Sequence, residues 1–85
     1  MTQPTPEIKA RKPFTSLAAE VLQQVEPLWI RAQRLRQLEA ELRDRYTETP
    51  TPLLSNALAY VTTAKNSANT AADTLTAAAD LLERA

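Results

Sequence analysis

At 85 residues the chain has room for one domain and a small core. It contains no Cys, no His and no Gly, and its ten Lys and Arg balance ten Asp and Glu. These counts exclude a disulfide framework, thiolate or histidine chemistry and a Gly-rich phosphate loop, and they give no electrostatic reason for a nucleic acid or an anionic membrane as partner.

Residues 1–14 read as a disordered N-terminal arm. Pro4, Pro6 and Pro13 cannot propagate a helix, and the polar residues between them have no apolar period. Lys9, Arg11 and Lys12 form a small basic cluster, read as a solubilising tail. The arm lacks the apolar segment of a secretory signal, and no apolar run approaches the roughly 20 residues of a membrane span. The expected location is the cytoplasm.

From residue 15 to 46 the sequence predicts one helix. Thr15 or Ser16 is placed to cap it, Glu20 favours its positive end, and Phe14 is placed as a staple on the first turn. Phe14, Ala18, Val21, Val25, Leu28, Ala32, Leu35, Leu42 and Tyr46 keep a coiled-coil rhythm. One slip breaks it, where Leu38 stands in for Glu39. The register continues across Pro27, which predicts a kink within one helix; a break at the proline is the alternative. Residues 47–51 form the loop, because Pro50 and Pro52 disfavour helix for Thr49 and Thr51.

Thr51 and Pro52 then make a start signal, with Thr as cap and Pro at the first helical position. The second helix is expected over 52–84. Leu54, Ala57, Val61, Ala64, Ala68, Ala71, Leu75, Ala78 and Leu82 step by threes and fours along it. Both helices would be about 46–48 Å long. Matched lengths and a short loop predict an all-α fold, an antiparallel two-helix hairpin that is coiled-coil-like. Folding the chain near residue 49 or 50 sets Leu42 against Ala57, Leu35 against Ala64, Leu28 against Ala71 and Val21 against Ala78, with Ala32 meeting Ala68. So short a hairpin is expected to assemble into a four-helix bundle or to dock on a partner.

The candidate sites follow from this frame. Carboxylates are scattered along the helices and have no histidine beside them, so no catalytic residue, metal site or cofactor is expected. Leu22, Trp29 and Arg36 lie seven apart, beside the seam, and are the candidate partner-binding residues. The expected function is a small non-enzymatic protein–protein interaction module, such as an adaptor, an assembly subunit or a small inhibitor, with a protein or a second copy as partner. The alternative is a nucleic-acid-binding helical dimer that uses the basic arm with Arg31 and Arg34. Against it, Glu39, Glu41 and Asp44 interleave the later arginines.

The hairpin outline resembles the small WXG-type proteins and the Rop-like RNA-binding dimers. The loop TETPT has no Trp-x-Gly turn, and no motif of the second group is present, so no family is assigned on these residues.

Overall fold

A computed structural model describes residues 11–85. Residues 1–10, with Lys9 and most of the expected arm, lie outside that range. Every regular element among the described residues is helical: α1 (Phe14–Gln23), α2 (Val25–Glu48) and α3 (Pro52–Arg84). α1 and α2 both pack along α3, which makes a helical hairpin. No helix among the described residues is long and apolar enough to cross a membrane.

Three local features depart from the sequence expectation. α1 begins at Phe14, ahead of Thr15 and Ser16. Pro13 is the cap residue, with φ −62° and ψ 157°, and its carbonyl accepts from Ser16 N–H at 3.0 Å and Leu17 N–H at 3.1 Å. Phe14 is therefore inside the first turn and exposed, not a staple in front of it. The expected irregularity falls at Gln24 and not at Pro27: this one residue separates α1 from α2, keeps helical dihedrals (φ −84°, ψ −13°), and its N–H bonds back to the Val21 carbonyl at 3.0 Å. Pro27 becomes the third residue of α2, where a backbone N–H needs no partner within the helix. Interrupting the helix three residues early thus removes the penalty that proline brings to a helix interior.

The turn is shorter than expected, because α2 runs on to Glu48 and leaves residues 49–51 as the loop in place of 47–51. Thr49 leaves the helical region, with φ −139° and ψ 81°, as the following proline requires. Thr51 is extended and its side chain accepts from the Leu54 N–H at 3.2 Å, while Pro52 fills the first helical position.

The seam itself is corrected on both sides. Along α1 and α2 there is no slip: Ala18, Val25, Ala32 and Glu39 are the buried residues, and Leu38 points outward. On α3 the buried line runs through Ala68, Ala72 and Ala79, so Ala71 and Ala78 are only half-buried and Ala64 is exposed. The expected Leu35–Ala64 level is therefore absent. In that register Glu39 would have faced Tyr60, but it reaches Thr62 and Lys65 instead, and Tyr60 is outside. Ala32 and Ala68 are both buried, as their central level requires.

The cause is degeneracy. Where α3 reads Ala71-Ala72 and Ala77-Ala78-Ala79, neighbouring phases are equally apolar, and only packing chooses between them. The core that results is small in every sense. Its six buried apolar residues are five alanines and Val25, and no large side chain is fully buried.

Along the outside of α3, hydroxyls turn back on their own helix. Thr63, Thr74 and Thr76 donate to the carbonyls of Ala59, Thr70 and Ala72 at 2.8–3.0 Å. That satisfies the donors locally and offsets the weak helix propensity of threonine only in part.

Ala72 is 0% exposed. Replacing it with Leu is expected to destabilise the fold by about 1–3 kcal/mol through overpacking. Ala77→Leu, on the exposed side, should stay within about 0.5 kcal/mol of the parent. Thermal melts of the two variants by circular dichroism measure the difference, and equal melting temperatures would contradict the observed phase.

Candidate functional site

The seam holds one charged group. Glu39 occupies the position that Ala32 holds a heptad earlier, and it is only 6% exposed. A buried carboxylate requires partners, and α3 supplies them. Lys65 Nζ donates to Glu39 Oε1 at 3.0 Å and Oε2 at 3.1 Å, and Thr62 Oγ1 donates to Oε2 at 2.5 Å. Arg43, one turn on and mostly exposed, approaches Oε1 at 3.9 Å. Among the described residues no buried side-chain polar atom lacks a partner.

The Thr62 hydrogen bond, then the Lys65 hydrogen bond, holds the Glu39 carboxyl below its ordinary value of 4.5. Desolvation opposes this, and the charges of Lys65 and Arg43 add to it. A carboxylate so fully engaged is poor material for a general base. Its evident work is orientation, because it ties a point on α2 to two points one turn apart on α3.

The sequence-predicted contact residues are all at the surface. Leu22 lies on α1, across the interruption at Gln24, while Trp29 and Arg36 lie seven apart on α2. Trp29 is 45% exposed, so it does not complete the core. Nine residues further along is Leu38, 43% exposed. At about 100° per residue, nine residues place Leu38 on the opposite side of the helix from Trp29.

That second side carries a groove, which the sequence reading did not anticipate. It has a volume of about 530 Å³; Leu38 and Leu42 of α2 line it with Leu54 and Val61 of α3, and Glu41, Arg45, Glu48 and Thr49 form the rest of its wall. Near the groove, Leu53 and Tyr60 are 82% and 76% exposed. A smaller hollow further up α2 is lined by Pro27, Ile30 and Leu35 with Arg31 and Arg34. The arginines of the nucleic-acid reading thus sit among apolar side chains.

Two signals pointed to these features. The apparent slip at Glu39 marked the buried charge, and Lys65 is the only lysine in either long helix. An apolar-period search passes over both because it scores charge as outward-facing.

Comparison of the chain with protein-family models, with characterised proteins and with solved structures finds no match in any of the three.

Because the Glu39 carboxyl is held low, the stability it contributes is complete above pH 4.5 and is lost as pH falls through the lowered value. Glu39→Gln is therefore expected to melt lower than the parent at pH 7. The gap should close in acid, where the parent carboxyl is itself protonated. Melting temperatures of both proteins from pH 7 to pH 2 give the answer, and a gap that persists at the acid end would contradict it.

Proposed function

We propose that the chain is a non-enzymatic protein–protein interaction module that completes its hydrophobic core by association. It would serve as an adaptor, an assembly subunit or a small inhibitor, in the cytoplasm. The observation that carries this reading is an imbalance. The buried apolar layer is alanine and one valine, while eight large apolar side chains are exposed among the described residues. Burying one methyl contributes about 0.8 kcal/mol, whereas a fully buried Leu or Phe contributes about 1.5–3 kcal/mol. A hairpin arranged this way leaves most of its available hydrophobic stabilisation outside.

The simplest completion is a second hairpin, giving a four-helix bundle. Leu22, Trp29 and Arg36 remain the proposed contact for a protein partner, since tryptophan and arginine dominate interface energetics. The nucleic-acid alternative gains no support. Of its residues, Lys12 is 2.6 Å from Glu20, and Arg31 and Arg34 line a hollow with Pro27, Ile30 and Leu35.

Sedimentation over a wide concentration range is expected to show reversible self-association. A fully helical monomer with a sharp melting transition at high concentration would defeat the assembly reading. Trp29→Ala should melt within about 0.5 kcal/mol of the parent, as a surface substitution does, and should lose capture of the protein partner. A large fall in melting temperature would make Trp29 a core residue instead.

A further inference from the structure

We infer that a second copy of this chain covers the Leu38 side of the hairpin, leaving the Trp29 side free. The inference rests on the assembly reading above and specifies which face is used.

The face has two unlike halves. Its α2 half is large and branched, with Leu38 exposed and Leu35 and Leu42 half-buried. Its α3 half is small. Ala57, Ala64, Ala71 and Ala78 recur every seventh residue, each one position before the packed line, and Tyr60 and Leu53 close its turn end. This alanine line lies about 160° around α3 from Thr62, which marks the polar side of the seam. The groove joins the two halves, since Leu38 and Leu42 line it together with Leu54 and Val61.

Such a face is complementary to itself. A two-fold axis parallel to the helices would set the α3 half of each copy on the α2 half of the other. Leucines would then enter the spaces over alanines twice, once in each direction, as an isologous interface requires. The charges select the same arrangement. Charged residues of both signs border the α2 half, Arg31 with Glu41, Arg45 and Glu48, whereas the alanine line carries no charge. Stacking α2 on α2 would set two charged borders against each other and desolvate both, and stacking α2 on α3 sets each border against an uncharged line.

The area suffices. A 33-residue α3 is about 50 Å long, and a face two helices wide offers roughly 1,000 Å². A standard interface buries about 800 Å² per partner.

The test compares two Ala→Arg substitutions at exposed helical positions on opposite sides. Ala64 lies on the proposed face; Ala40 lies eleven residues from Trp29 and on its side of α2. By sedimentation, Ala64→Arg should weaken the dimer about thirty-fold or more, with Ala40→Arg close to the parent. Circular dichroism checks that both remain helical. Independently, the single Trp29 should stay open to acrylamide quenching in the parent dimer. A parent dimer that survives Ala64→Arg, or one that shields Trp29, would overturn the choice of face while leaving self-association intact. A parent that is monomeric at every concentration would overturn both.

Discussion

The close approach of α2 to α3 along a line of alanines is the constraint on which the other features depend. Ala18 and Ala32 on one side meet a line of Ala68, Ala72 and Ala79 on the other. Small residues let helix backbones come together, but they remove little apolar surface from water in doing so. Ordering each residue of the hairpin costs about 1–2 kcal/mol in backbone entropy alone. A seam of methyl groups is therefore a precise geometric contact and a weak energetic one. The fold has to obtain specificity and further burial from elsewhere.

Specificity comes from Glu39. An alanine line is poor at setting register, because moving the buried line one residue toward the N-terminus of α3 exchanges Ala72 and Ala79 for Ala71 and Ala78. The carboxylate removes that freedom. It is satisfied only where Lys65 and Thr62 face it together. A slip by a heptad would bring Leu58 or Ala72 to the position of Lys65 and leave a buried charge without a partner. A buried ion pair is weak evidence for stability, since desolvation consumes much of its attraction. As a penalty on every wrong register it is strong, and a seam of alanines has particular need of one.

Much of the fold was legible in the sequence, and the exceptions share a cause. The helical period, the Thr49–Thr51 turn and the start of α3 at Pro52 follow from local chemistry that tertiary packing does not override. The turn needs no glycine because Pro50 and Pro52 hold their neighbours extended, and no described residue adopts positive φ. What escaped the sequence was the choice between equivalent options. Ala71 and Ala72 are chemically the same residue, so only the packed structure distinguishes the half-buried one from the buried one. Leu38 and Glu39 posed the reverse problem. Hydrophobicity favoured the leucine, and the partners that make a buried glutamate tolerable lie more than 20 positions away. The candidate contact at Leu22, Trp29 and Arg36 was legible as an exposed line, while the groove beside Leu38 depended on the register and was not.

The same carboxylate also divides the surface of the hairpin into two kinds. On its own side of the seam, Lys65, Thr62 and Arg43 occupy the space between the helices with polar groups, and Trp29 stands further along α2. On the far side Leu38, Leu42, Leu54 and Val61 meet around an open groove whose wall also includes Glu41, Arg45 and Glu48. Turning Glu39 into the seam necessarily turns Leu38 out of it, because adjacent residues on a helix are about 100° apart. The residue that fixes the register therefore also leaves an apolar face unfilled. In an isolated hairpin that exchange loses hydrophobic burial. In the proposed assembly it would place the exposed leucine where a neighbouring helix covers it, and one choice at position 39 would then serve both the internal fit and the external contact.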